Sequence, residues 1–341
     1  MTAISAIRPS ASVPASPFDP DDPQAFRHRF SKVNGIRMHY VDEGSGPLVI
    51  LLHGFPYLWY MWRLQIPALV AAGYRVLAPD LRGFGQTEKP EALEAYDMLQ
   101  AVGDIVGLMK AQRETSAVLV GHDLGAWVAY MAAQLRPDLF SRLAILNTPV
   151  PPRGPSKPSV GWAKLAKQGV QIHHSYFQER DTPDRELAHD TRKSLRSIFY
   201  SVSGSPDDCW NPIVPMGTRL LDTMPEPDTF PDWLSDRALD HYVAEYERTG
   251  FTGALNYYRC RDRNWELTPF LDGSAVRQPS LFIGGAYDPL MLLAREGYET
   301  LETHMPGLRR KVLLEGIGHD APEEAPEAVN AELLAFLAPG H

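Results

Sequence analysis

Cysteine is scarce in this chain: 341 residues hold two, Cys209 and Cys260. They form neither a metal-ligand pair nor a disulfide framework, so a reducing compartment is expected and both thiols read as small apolar groups to be buried. Clusters of Lys and Arg interleaved with aromatics are absent, and the formal charge is -9. Without that electrostatic footprint, nucleic acid is excluded as an expected partner. No apolar run approaches the roughly 20 residues needed to span a bilayer, so no membrane partner is expected either. The first residues, Met1 to Pro23, are rich in Ala, Ser and Pro and resemble neither a signal peptide nor an anchor. A disordered tail over residues 1–25 and a cytoplasmic location are the expectations.

What is present suits an enzyme, because the length allows one large domain or a core with an insertion. The sharpest signal is Gly121-His122-Asp123-Leu124-Gly125. Most enzymes with a Gly-x-nucleophile-x-Gly turn carry serine at its centre and perform acyl transfer, whereas a carboxylate there attacks an electrophilic sp3 carbon and forms an alkyl ester. The target is then an epoxide or a carbon–halogen bond. An Asp in this place also reads as a plain helix N-cap, so context decides. The apolar run Ala117 to Val120 precedes the turn, and Ala126 to Leu135 carries Trp127, Val128, Met131 and Ala132 at helical spacing after it. Strand, tight turn and helix lift a nucleophile above a sheet edge, with Gly121 and Gly125 allowing close backbone approach.

Around this turn the punctuation is regular. His28 to Val33 and Ile36 to Val41 flank Asn34-Gly35 as a hairpin. Buried strands are expected at Leu48 to Leu52, Val76 to Ala78, Ala117 to Val120 and Leu143 to Leu146, separated by helical stretches near Arg63 to Ala72 and Ala92 to Gln112. Such alternation predicts a mainly parallel sheet covered on both faces. Between Thr148 and Gly273 no convincing buried strand occurs, only helical segments rich in Trp, Tyr and Arg. Strands resume at Ser280 to Ile283 and Lys311 to Leu314, followed by an amphipathic helix over Pro326 to Leu337. The expected organisation is a core of residues 26–148 and 274–341 with a helical cap at 149–273.

Several further motifs stand in order: His53-Gly54-Phe55-Pro56, followed by Trp59, Trp62-Arg63 and Gln65-Ile66-Pro67; Asp80 to Gly85; Asn147-Thr148-Pro149; Asn256-Tyr257-Tyr258-Arg259; and Gly318-His319. With them the chain resembles an α/β-hydrolase, and within that superfamily the epoxide hydrolases, over residues 26 to 339. The resemblance implies an α/β-hydrolase fold, a mostly parallel eight-stranded sheet flanked by helices with an inserted cap, and no cofactor or metal. It implies that the backbone amides of Phe55 and Leu124 form an oxyanion hole, that His53 and Pro56 shape their loop, and that the peptide before Pro56 is cis. It places the base at His319, which activates water, and the orienting acid at Asp288. Asn147 occupies the rival acid position and cannot carry the charge, and Asp320 is poorly placed to orient its neighbour. Where the family commonly has an aromatic after the histidine, this chain has Asp320, Ala321 and Pro322.

Cap groups decide between substrates. In the family, two tyrosines usually donate to the epoxide oxygen; Tyr258 matches one, with Tyr257 as the other register. The first donor departs from the pattern: His173 stands where tyrosine is usual, a His/Tyr variant of the family, with His174 or Tyr176 as alternatives if the register slips. Leu124 replaces the Arg or Trp that haloacetate and haloalkane dehalogenases place after the nucleophile, and it suggests a small apolar epoxide, with water as the second reactant. Trp59, Phe55 and Trp127 are candidate pocket walls beside His174 and Tyr176. The expected activity is that of an epoxide hydrolase, with a dehalogenase, or an inactive ligand-binding hydrolase fold, as alternatives and a homodimer compatible with either.

Overall fold

The structure, a computed structural model, describes residues 19–204 and 209–338. Its strands follow in chain order: β1 His28–Val33, β2 Ile36–Gly44, β3 Leu48–Leu52, β4 Arg75–Pro79, β5 Ala117–His122 and β6 Phe140–Leu146. The insertion adds β7 Val170–Ile172 and β8 Ile213–Pro215, and β9 Ser280–Gly285 and β10 Leu308–Leu314 complete the core. One eight-stranded sheet runs β1-β2-β4-β3-β5-β6-β9-β10. Its first two junctions are antiparallel and the rest parallel. Asn34 and Gly35, at φ 44° and 84°, turn the β1–β2 hairpin as the positive φ of that dipeptide allows. All of β3 and β9 is buried, because helices cover both faces of a parallel sheet and its strands carry unbroken apolar runs.

Register places the site. Leu52 pairs with Gly121, His122 with Leu146, and Leu146 with Ile283. The carboxyl ends of β3, β5, β6 and β9 therefore lie abreast, and the loops leaving them carry His53, Asp123, Asn147 and Asp288. Ligands of open α/β sheets sit beyond those strand ends.

Boundaries differ where side-chain chemistry is mixed. The helical stretch of residues 92–112 divides into a 3-10 turn, Leu93–Tyr96, and the helix Met98–Ala111, because Asp97 caps the second through the Gln100 amide at 3.0 Å. Residues 63–72 divide likewise into the turn Trp59–Leu64 and the helix Ile66–Ala71. The insertion is chiefly helical, from Pro158–Lys167 to Arg261–Leu267, but β7 and β8 pair as a two-stranded ribbon. Three residues per strand are too few to show alternation in a sequence. Cys260 is buried as expected, whereas Cys209 is exposed. Among the described residues no helix is long and apolar enough to cross a membrane.

The expected tail is too long. Residues 1–18 lie outside the described residues, but Pro23–Ala25 form a 3-10 turn capped by Asp22, and Phe26 packs its ring against Trp59 at 5.1 Å. The Asp21 carboxylate accepts from the Ser235 hydroxyl at 2.7 Å and meets Arg63 Nε at 3.3 Å. Arg63 also donates to Glu323, which the Tyr242 hydroxyl reaches at 3.3 Å. Arg63 and Glu323 are both 2% exposed, so truncating Glu323 leaves the buried Arg63 charge with only the part-exposed Asp21 as a partner. Glu323→Ala should therefore destabilise the protein by about 3–5 kcal/mol, read by denaturant unfolding, while the apolar pair Arg63→Met with Glu323→Met should lose much less.

Candidate active site

Asp123 occupies a strained turn between β5 and the helix Leu124–Leu135, at φ 51° and ψ -116°. A non-glycine residue holds such angles only where its surroundings impose them. Here the glycines do so: a Cβ on Gly121 would stand 2.3 Å from the Gly125 carbonyl oxygen, and one on Gly125 2.1 Å from that of Leu52. The helix and two strand ends thus meet backbone to backbone, and the Asp123 side chain is thrust off the sheet edge.

One carboxylate oxygen, Oδ1, accepts from the Phe55 amide at 2.7 Å, and Oδ2 lies 3.8 Å from His319 Nε2. Leu124 begins the helix, where the first amides have no intrahelical carbonyl to bond. Burial works to raise the pKa of Asp123, but the charge of His319, 3.8 Å away, and the hydrogen bond from the Phe55 amide outweigh it and hold it below the ordinary carboxylate value. His319 Nδ1–H donates to Asp288 Oδ2 at 2.7 Å. Burial opposes protonation of His319, yet Asp288 on one side and Asp123 on the other together raise its pKa well above that of a free imidazole.

The cap closes the opposite wall. Tyr258 projects from the helix Thr252–Arg259 and packs its ring between Phe55, at 5.9 Å, and Phe177, at 5.1 Å. Burial, then the Asp123 charge, push its phenol upward, so it stays protonated. His173 opens the short helix after β7, with its ring 5.9 Å from that of Tyr258. Burial is the chief reason its pKa falls to about 4, so the imidazole is neutral near pH 7. Asp123, His319, Tyr258, His173 and Phe55 line one recess. Asp123 and His173 also border a cavity of about 800 Å³ walled by Trp127, His174, Met131 and Leu293.

With that geometry in place, comparison is informative. A sequence model of the alpha/beta hydrolase fold matches residues 47–326. The chain is 41% identical to epoxide hydrolase A of Mycobacterium tuberculosis over 91% of its own length and 96% of the relative's. It is 37% identical to an epoxide hydrolase of Caballeronia sordidicola, over 89% of this chain and 91% of that one. The crystal structure of epoxide hydrolase A from Mycobacterium thermoresistibile superposes with a TM-score of 0.87 at 42% identity, covering 92% of this chain and 98% of that one. This chain belongs to the epoxide hydrolase family of α/β hydrolases.

Two residues expected to line the pocket of this family member do not. Trp59 is 1% exposed; it lies in the turn Trp59–Leu64 under the hairpin, edge-on to Phe26 and His28 at 5.1 and 5.3 Å. Tyr176 points into the cap, where its hydroxyl donates to Glu186. His174 and Trp127 do border the larger cavity. His53 serves its loop: Nε2 accepts from the Leu81 amide at 3.0 Å and Nδ1–H donates to Gly54 O at 2.9 Å. The Phe55–Pro56 peptide is cis. Tyr257 is fully buried against Tyr96 and Phe84, 5.8 Å from each, so Tyr258 is the member of the pair that faces Asp123's recess. Asp320 is buried and accepts from the Tyr57 hydroxyl, in the core rather than on the cavity wall.

No bracing role was expected of three residues that support the epoxide hydrolase site. Asn147 Nδ2 donates to Asp288 Oδ2 at 3.2 Å and to Gly318 O at 2.8 Å. It thus supports the acid from the position where a rival acid would stand. Glu324 accepts from the amides of Gly204, Gly318 and Asp320 at 2.7, 3.1 and 3.0 Å. His122 Nε2–H donates to His319 O at 2.7 Å. Only Asn147 carried a signal, its place in Asn147-Thr148-Pro149. Because Asp288 is the first of the influences that raise His319, Asp288→Asn should lower the His319 pKa, visible as a shifted midpoint in an imidazole nitrogen NMR titration. An unmoved midpoint would contradict this electrostatic account.

Proposed function

We propose that the chain hydrolyses epoxides to vicinal diols through an alkyl ester on Asp123. The observation that carries the reading is the ionised Asp123 carboxylate, braced by the Phe55 amide and His319, facing two neutral proton donors across one recess. An Asp123 oxygen attacks a ring carbon, the carbon–oxygen bond opens, and the leaving oxygen takes a proton from Tyr258 with His173 as the second donor. His173 suits this as a neutral imidazole: its Nδ1 is buried without a partner among the described residues, so the tautomer with hydrogen on Nε2 is the one able to present a donor to the recess.

Ester formation removes the negative charge of Asp123. That deletes one of the two carboxylates that hold His319 protonated, so the imidazolium gives its proton back to the Tyr258 phenolate and becomes free to act as a base. His319 then takes a proton from water, whose oxygen attacks the Asp123 ester carbonyl. The tetrahedral oxyanion faces the Phe55 and Leu124 amides. As it collapses, the diol leaves with the original Asp123 oxygen and takes the proton of the reforming carboxyl group, so Asp123 is again an anion, Tyr258 a phenol and His319 an imidazolium. A halide-leaving reaction has less support, since Leu124 offers neither charge nor indole nitrogen beside the nucleophile and the cap supplies donors suited to an oxygen.

Single turnover in heavy-oxygen water should put the label into Asp123, leaving the first diol unlabelled; label in that first diol would mean direct hydration. His319→Gln should alkylate but fail to hydrolyse, so intact mass should rise by one epoxide; a folded variant with no adduct contradicts the scheme. With pH the sign follows from the base: ester hydrolysis should slow as pH falls and His319 becomes protonated. His173, at about 4, should add no step between roughly pH 6 and 9 in the profile of the alkylation rate.

A further inference from the structure

Three arginines stand two residues apart where the cap chain runs on past Tyr258, and only two of them meet a carboxylate. Arg259 pairs with Asp184, and Arg263 reaches Asp97 at 2.9 Å. Arg261, between them, makes no hydrogen bond or ion pair through its side chain among the described residues. The acids beside it in the helix Arg261–Leu267, Asp262 and Glu266, are turned to Lys157 at 3.8 and 3.2 Å. Its guanidinium instead stacks over the Trp127 ring at 4.1 Å and borders the cavity that contains Asp123 and His173. Trp127 lies one turn into the helix that Asp123 precedes, and its amide donates to Asp123 O at 3.3 Å. Arg261 itself follows Tyr258 by three residues, about one helical turn. A cation with no carboxylate of its own is thus fixed both to the nucleophile's helix and to the donor's segment of the cap.

We propose that Arg261 is an electrostatic positioning residue for ring opening, whose charge stabilises the Tyr258 phenolate left when that phenol protonates the epoxide oxygen. Rate is gained only from an interaction that strengthens as the reaction proceeds. Alkylation moves one negative charge, from Asp123 to the opened oxygen and then, as the proton passes, to Tyr258. Of the two ends of that path, Tyr258 is the more strongly coupled to the arginine: burial lowers the Arg261 pKa, and Tyr258 first, then Asp123, work against that loss. The guanidinium stays charged, because it starts far above neutrality. Burial and Asp123 push the Tyr258 phenol upward, and Arg261 works against both. The second donor feels the same charge. Burial chiefly depresses His173, the Asp123 carboxylate pulls it up, and Arg261 offsets that pull, which helps to keep the imidazole neutral. No proton leaves Arg261 and no bond forms to it. This role rests on the epoxide reading and deepens it.

The test is a single turnover of styrene oxide, a neutral probe, with rapid quenching and intact mass to follow formation and loss of the Asp123 ester separately. Arg261→Met should slow ester formation by about 10- to 100-fold, less than the loss of a direct oxyanion donor, and leave ester loss nearly unchanged, since His319 drives that step. Arg261→Lys, which keeps the charge, should recover most of the rate. Thermal melting confirms that each variant is folded, and Arg261→Gln replaces Arg261→Met if the latter is not. Imidazole nitrogen NMR gives a reading that needs no turnover: the His173 midpoint should rise above about 4 in Arg261→Met, where the pull of Asp123 is unopposed. The other titratable groups around that ring, His319, His174 and Tyr258, are the same in both proteins. Ester formation unchanged in the neutral variant, formation and loss slowed alike, a Lys variant as slow as the neutral one, or an unmoved His173 midpoint overturns the role of Arg261 and leaves the hydrolase reading standing. Wild type that forms no ester overturns the hydrolase reading and this role with it, and the His173 midpoint still tells whether the charge reaches the donor.

Discussion

The hydrogen bond from the Phe55 amide to Asp123 Oδ1, 2.7 Å long, is the contact on which the site depends. It joins the loop after β3 to the turn after β5, two neighbours in a parallel sheet, and it forms only if both backbones come unusually close. The glycines at 121 and 125 remove the side chains that would keep them apart, and His53 fixes the far side of the loop through Leu81 and Gly54. An amide that today braces a ground-state carboxylate is also aimed at the atom where an ester oxyanion would develop. Preorganised donors of this kind act without reorganisation when the charge appears.

Electrostatics then give the site an order of events. His319 sits between two carboxylates and is held protonated, so it cannot serve as a base while Asp123 is free. The same cation helps keep Asp123 ionised and ready to attack. In the proposed reaction, alkylation would cancel one charge and reverse the balance. Across the recess burial has the opposite effect on the donors, keeping Tyr258 and His173 uncharged. One buried recess therefore maintains a carboxylate, an imidazolium, a phenol and a neutral imidazole side by side, each because of what lies beside it.

Much of this was legible in the sequence, and the reason varies by residue. Asp123, Asp288 and His319 announce themselves because each follows an apolar strand at a glycine-marked end, where the strand pattern fixes the sheet edge. Tyr258 needed its whole motif to separate it from Tyr257, since both are tyrosines on one helix and only packing decides which is buried against Tyr96. Trp59 and Tyr176 misled because an aromatic in a motif looks like a pocket wall, whereas the structure gives one to the hairpin's underside and the other to Glu186. Glu324 left no trace, because a carboxylate that accepts three backbone amides is indistinguishable in sequence from any surface acid near a helix start.

The departure after His319 also acquires a physical cause. An aromatic there would contribute pocket wall, but Asp320 turns inward to the Tyr57 hydroxyl, and its own amide is held by Glu324. Burial, then the neighbouring Glu324, raise the Asp320 carboxyl well above its usual range, so it is protonated in the fold. The segment from Gly318 to Glu324 is thus tied by hydrogen bonds to the core on one side and, through Glu323 and Arg63, to the N-terminal strap on the other. His319 is thereby held 2.7 Å from Asp288 and 3.8 Å from Asp123 on a loop anchored at both ends. Asp320, Glu323 and Glu324 are framework acids, and in the proposed reaction the chemistry falls to the two carboxylates that flank the imidazole.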